Sequence, residues 1–254
     1  MLRLDLVHGR SYSQATCPSI LQIPASSGQE AGMDASLPAT PRFRYLYAVA
    51  DNLPSWWEAP REGIDGAAVV RTEVEGLTLV SSRFASVPAL TRRARYTHHD
   101  VVGTLLDARA IVPFPFGTVV PESQLLRWVS TRLPVIRASL RDVAGHVEMT
   151  VRLMRLDSTA ERDRREGGSL LRALADRLVE RAGLPHWRYQ SADRGDVAAS
   201  VAFLVPRGDL TEFLAHIAPV ASRAEGLAVV PTGPSAPYSF TPPLDVDRVA
   251  ARAG

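Results

Sequence analysis

The sequence predicts an α+β fold: a small α+β N-terminal domain followed by a ferredoxin-like C-terminal domain. Three observations predict it. Runs rich in β-branched and aromatic residues open the folded part of the chain, beginning at residues 43–50. Apolar residues then recur at helical spacing through Leu125, Val129, Leu133, Ile136, Leu140 and Val143. From His146 onward the order is strand, helix, strand, strand, helix, strand. That is the β-α-β-β-α-β arrangement, in which two helices cover one face of an antiparallel sheet.

Taken in order, residues 1–42 mix Ser, Pro, Gly, Ala and Gln without sustained periodicity, so they are predicted to form a disordered lead, with Met33 as an alternative start. The N-terminal domain is expected over 43–144. It opens with strands at 43–50, 67–73 and 77–83, separated by turn material that includes Gly63, Gly66 and Gly76. Thr97, three positions before Asp100, reads as a capping box starting a helix whose buried face is Val102, Leu105 and Leu106. Pro121 suits the first turn of the next helix, and Gly145 closes it.

The C-terminal domain is expected over 145–243, with a tail at 244–254. In its first strand Val147, Met149, Val151 and Leu153 alternate with Glu148, Thr150 and Arg152. A helix at 169–182 ends at Gly183. Strands at 186–190 and 197–205, a helix at 210–222 and a strand at 227–232 complete the pattern.

Composition sets bounds on function. At 46% hydrophobic residues, the 254-residue chain can build real cores. No apolar run is long enough to span a bilayer, and Asp5, His8 and Arg10 interrupt any signal-peptide core, so a cytoplasmic location is expected. Cys17 is the sole cysteine, which rules out an internal disulfide. All 29 basic residues are Arg, but they are interspersed with 27 acidic ones for a net charge of +2, which argues against nucleic acid as a partner.

Candidate chemistry is sparse. His98, His99 and Asp100 cluster in sequence, but consecutive helical residues point about 100° apart and cannot converge on one ion. They read as an exposed or half-buried helix start. No nucleophile elbow, phosphate-cradling loop or helical metal motif is present. Arg194-Gly195-Asp196 and Arg207-Gly208-Asp209 read as turns. Trp56 and Trp57, adjacent in a Pro- and Glu-rich loop, divide between core packing and partner contact, since neighbours in a loop can hardly both face one small core.

Two segments remain, Val112-Pro-Phe-Pro-Phe-Gly-Thr-Val-Val120 and Thr232-Gly-Pro-Ser-Ala-Pro-Tyr-Ser-Phe240. The first resembles the Pro-x-x-Phe-Gly-Thr signature of the gas vesicle protein F/L family (Pro113, Phe116, Gly117 and Thr118). As in that family, a His-containing helix precedes it, expected here at 98–110. The second resembles the family's closing segment through Gly233, Pro234, Pro237, Tyr238 and Phe240, with Ser235 and Ala236 where the family has Trp and Pro. Pro115 also departs from the family's usual basic or long apolar residue. The Tyr45-Leu-Tyr-Ala-Val49 run matches the usual start, so the resemblance extends from Phe43 to Phe240.

The resemblance implies an accessory protein in the assembly of gas vesicles, hollow protein-walled flotation organelles. Its implied partners are the shell protein and other gas vesicle accessory proteins, with no catalytic residues, cofactor, metal, membrane or nucleic acid. A minor structural constituent of the finished vesicle is the alternative, and a ferredoxin-like enzyme or small-molecule sensor a further one. Beyond the signatures, Trp56 and Trp57 are the candidate partner contacts.

Overall fold

The first strand, β1 (Phe43–Asp51), is buried along almost its whole length, from Arg44 to Ala50. It runs through the middle of a sheet with apolar layers on both faces, so it carries a continuous rather than an alternating apolar pattern. The computed structural model describes residues 42–155, 164–194, 197–221, 227–242 and 244. All of the expected lead but Arg42, with Met33 and Cys17, and most of the expected tail lie outside these residues.

After β1 come β2 (Val69–Val74), β3 (Leu77–Phe84), α1 (Arg92–Gly103), β4 (Ala110–Pro113), β5 (Val119–Pro121) and α2 (Leu125–Asp142). The strand order is β2-β3-β1-β4, with β5 also pairing with β1. All these pairings are antiparallel. The β1·β3 register shifts between Leu46 and Ala48. This bulge breaks the two-residue alternation. It places both Tyr47 and Ala48 on the α1 side with Tyr45 and Ala50, while Leu46 and Val49 face α2.

Two apolar layers result. On one side Val101, Val102 and Leu105 of α1 pack with Tyr45, Tyr47, Val80 and Ile111. On the other, Leu125, Val129, Ile136 and Leu140 of α2 pack with Leu46, Leu79, Val112 and Phe114. Five of the six stripe residues, Leu125, Val129, Ile136, Leu140 and Val143, are thus deeply buried, as their spacing requires.

One polar group crosses into the interior. The Arg44 guanidinium donates to the Glu122 carboxylate and, at 3.1 Å, to the Ser81 hydroxyl. The arginine holds the Glu122 carboxyl below its ordinary range.

The second half comprises β6 (His146–Arg155), α3 (Arg164–Ala182), β7 (Trp187–Arg194), β8 (Val197–Pro206), α4 (Leu210–Ala221) and β9 (Leu227–Ser235). Its sheet has the order β7-β8-β6-β9, again antiparallel. Leu171, Leu174, Leu178, Phe213 and Ile217 of the helices cover Val151, Leu153, Val201 and Phe203. Gly183 follows α3 with φ +63°, the left-handed conformation that lets a chain leave a helix.

The chain is therefore a mixed protein with antiparallel sheets, consistent with the α+β class. Leu204 of β8 packs into the α2-side layer of the first half, so the second sheet is covered on that face too.

α3 begins at Arg164 rather than 169, β7 runs on to Arg194 rather than 190, and β4 and β5 are additional strands; the largest shift is at α1. α1 begins at Arg92, not at Thr97, and ends at Gly103, before the expected 110. Its N-cap is Thr91, whose hydroxyl accepts the Ala94 N–H at 3.1 Å. Thr97 lies inside the helix and donates back to the Arg93 carbonyl. The local Thr-x-x-Asp pattern was genuine, but an earlier Thr satisfies the free N–H groups first.

Candidate functional site

The first signature segment is a tight connection between two strands that both pair with β1. Pro113 closes β4 opposite Ala48, and the Phe114 N–H donates to the Tyr47 carbonyl at 2.9 Å. Phe114 is fully buried, its ring 5.6 Å from that of Trp128. The chain then reverses. Thr118 donates to the Pro115 carbonyl through both its N–H and its hydroxyl, at 3.1 and 2.7 Å, and its own carbonyl accepts the Leu46 N–H. Gly117 sits at φ +92°, where a side chain would be strained, and its N–H donates to the Tyr45 hydroxyl at 3.0 Å.

The closing segment starts as the end of β9. Gly233, at φ +126°, lies so close to β6 that a Cβ there would stand 2.9 Å from the Glu148 carbonyl oxygen. Ala236 and Pro237 are buried, and residues Tyr238–Phe240 form a short 3-10 turn. The Glu148 carboxylate clasps this turn. It accepts the Ser239 N–H at 2.8 Å and the Ser239 hydroxyl at 2.9 Å, with the Thr150 hydroxyl at 3.3 Å. Phe240 packs against the α2-side layer and beneath the Arg188 guanidinium.

The two segments meet at α1. Phe116 and Tyr238 both pack against His98, with ring centroids 5.8 and 6.3 Å away, and Tyr238 also meets His99 at 5.4 Å. His98 is fully buried. The Tyr45 hydroxyl accepts the Gly117 N–H and shares a second hydrogen bond with His98 Nδ1, 2.9 Å away. The other ring nitrogen, Nε2, is buried with no partner of hydrogen-bonding geometry among the described residues. The Tyr238 hydroxyl is likewise buried without one.

Burial keeps His98 and the junction tyrosines neutral. Burial, reinforced by His99, lowers the His98 pKa to about 4 against a weaker upward pull from the Phe114 backbone. Burial raises both Tyr45 and Tyr47 above the ordinary phenol range. Tyr238 rises for the same reason, with help from Tyr45 and Glu148. Burial also raises the Glu148 carboxyl, although its bonds to Ser239 and Thr150 pull the other way. These groups are shut away from solvent, and what the arrangement does is fix the two segments to one helix and two sheets.

The other candidate residues are dispersed. Trp56 is 66% exposed, whereas Trp57 is buried and its indole N–H donates to the Thr104 carbonyl at 2.8 Å. A partner-contact role for Trp57 is thus corrected to core packing, because its polar edge and its ring are both already satisfied. His98 is corrected from an exposed or half-buried helix start to a core residue of mid-helix. Arg207 folds back onto the first half, donating to the Ala108 carbonyl, and Gly208 and Asp209 complete a 3-10 turn. Gly195 and Asp196 of the other tripeptide lie outside the described residues. Among the described residues no group of three or more His, Cys, Asp or Glu gathers as a metal site.

Sequence reasoning missed Tyr45, Tyr47, Glu148 and Ser239 as parts of the junction. Alternation placed Glu148 correctly on the face away from the helices, but nothing local signals that the closing segment covers that face.

The fold and junction thus define a class: an α+β protein with two antiparallel sheets, tied together by a buried aromatic and polar clasp. Solved structures similar to it include two gas vesicle proteins. The gas vesicle protein GvpF from Anabaena sp. PCC7120 superposes with a TM-score of 0.61 at 20% identity, covering 78% of this chain and 95% of that one. The gas vesicle protein GvpF from Microcystis aeruginosa gives 0.62 at 18% identity, covering 78% and 98%. No curated protein sequence matches the chain at a significant level. The family model described as Gas vesicle synthesis protein GvpL/GvpF matches residues 43–196 and 155–242. The chain belongs to the gas vesicle synthesis protein GvpL/GvpF family.

Proposed function

We propose that the chain is a non-catalytic accessory protein of gas vesicle assembly, binding the apolar shell subunit or other accessory proteins during nucleation or growth. The physical need is plain. A subunit that must present an apolar face to gas exposes, before it polymerises, surface that aggregates in water.

The observation that carries this reading is the contrast between interior and exterior. The titratable groups at the signature junction are sealed, while large apolar side chains stand outside, among them Trp56 at 66% and Leu126 at 65% exposure. The edge strands β2 and β7, each paired on one side among the described residues, add a second means of capture by strand addition.

In this reading the protein is cytoplasmic, vesicle-associated and free of cofactor and metal. The signature residues Pro113, Phe116, Gly117, Thr118, Gly233, Pro234, Pro237, Tyr238 and Phe240 shape the body, and partners meet the exposed surface around Trp56. Residues 43–144 and 145–243 act as two modules, the second ferredoxin-like. The support for that is its β-α-β-β-α-β order and its β7-β8-β6-β9 sheet. Deleting the gene should abolish or sharply reduce buoyant vesicles, and purified vesicles should lose the protein on washing with urea. Unchanged buoyancy would sink the proposal, and retention through the wash would replace a carrier with a structural constituent.

A further inference from the structure

The start of α1 borders an open cleft of about 370 Å3, lined by Leu90, Thr91, Arg92, Arg95 and Tyr96. Leu90 and Tyr96 are 55% and 56% exposed there. Both arginines are held by aromatic residues, Arg92 at a hydroxyl and Arg95 on a ring face. The Arg92 guanidinium lies 5.7 Å from the Tyr96 ring centroid and donates to its hydroxyl, and Arg95 lies 5.2 Å from that of Phe116. Neither is within ion-pair distance of a carboxylate among the described residues.

A guanidinium stacked on a ring, as Arg95 is on Phe116, is pre-positioned and keeps its in-plane donors for a carboxylate, while Arg92, held at its Nε and Nη2 edge by the Tyr96 hydroxyl, adds a second positive charge beside it. The exposed leucine and tyrosine beside it offer apolar area to a neighbouring side chain. The comparable groove between α3 and α4 lacks this polarity, since Glu180 stands beside Arg177 and Arg181.

We infer that this cleft docks a protein segment in which a carboxylate side chain sits next to a leucine-sized or aromatic one. Charge complementarity selects the carboxylate, and Leu90 with Tyr96 selects its neighbour. An aliphatic side chain as one of the two exposed apolar groups favours a peptide over a nucleic acid strand, which wants stacking surfaces. The inference stands on the cleft itself, whether or not the shell subunit is the partner.

The test uses the full chain and fluorescein-labelled octapeptides of alternating Glu and Leu, Gln and Leu, or Lys and Leu, read by anisotropy. The Glu–Leu probe should bind, and its affinity should fall with added salt. The double variant Arg92→Glu/Arg95→Glu should lose about tenfold or more in affinity, and Arg92→Gln/Arg95→Gln should lie between. Leu90→Ser should also weaken binding, with thermal melting confirming that each variant is folded. Arg177→Glu/Arg181→Glu should bind as the parent does. Equal binding of the Gln–Leu probe, indifference to the Arg92/Arg95 variants, or failure of every peptide to bind would overturn the inference. So would tighter binding of a single-stranded oligonucleotide through the same arginines. No vesicle protein enters this assay, so its failure is distinct from failure of the assembly role.

Discussion

Glu148 shows how much one side chain can hold. Its carboxylate takes two hydrogen bonds from Ser239, so Glu148→Ala leaves the Ser239 N–H without its acceptor and should cost about 2–3 kcal/mol in urea unfolding. Glu148→Gln keeps an acceptor oxygen and removes a buried charge, so it should cost clearly less. Equal losses would mean the clasp is not what the side chain provides.

The two signature glycines should separate as well. At Gly117 an added Cβ meets the flexible end of Leu90, so Gly117→Ala carries chiefly the backbone strain of positive φ, about 1–2 kcal/mol. At Gly233 the obstacle includes a backbone carbonyl, and Gly233→Ala should cost about 3 kcal/mol or more. Melting temperatures of the two variants decide the order.

His98 gives a pH dependence with a definite sign. It is neutral in the fold down to about pH 4, whereas the unfolded imidazole takes up a proton below about 6.5. Acid therefore favours the unfolded chain, and stability falls as pH drops from 6.5 towards 4, by about 3 kcal/mol from this ring alone. Glu122, held low by Arg44, loses stability in the same direction, while the raised Glu148 works against both. His98→Asn, which retains a polar group near Tyr45, should flatten the profile between those limits relative to the parent. An unchanged slope would show that the ring is solvated in the fold.

At the scale of elements, α1 is the instructive case. The N-cap bond that the Ala94 N–H donates to the Thr91 hydroxyl should be worth about 1 kcal/mol, so Thr91→Ala should lower the urea midpoint accordingly. Thr97→Ala should leave it nearly unchanged, the reverse of what the Thr97–Asp100 spacing suggests. The true start was hidden because its first turn carries Arg92 and Arg93 and no acidic residue, contrary to the usual preference at a helix N-terminus. Elements with strong period were legible: β6, α2, α4 and β8 fall within a few residues of their expected bounds. Weakly periodic pieces were not. The short strands β4 and β5 carry no local signal, since their partner β1 lies far away in sequence. Trp56 and Trp57 could not be told apart until β1 and α1 were placed, because Trp57 is fixed by the Thr104 carbonyl.

For the whole molecule, the two signature segments lie more than a hundred residues apart in sequence and yet close on one histidine. Short proline-rich motifs are visible in a sequence. Their meeting is not, because it depends on the bulge in β1, the burial of His98 and the cover that the closing segment gives to β6. The outcome is a body in which Glu148, Ser239, Tyr45 and Gly117 bind the two segments to the sheets, while apolar side chains such as Trp56 and Leu126 stand exposed.

The most direct measurement is quantitative affinity purification of this chain from cells co-expressing it with the shell subunit. The account predicts that shell subunit stays in the soluble fraction and co-elutes with the chain, and that Trp56→Ser reduces the yield without lowering thermal stability. Shell subunit found only in the pellet, with the chain eluting alone, would contradict it.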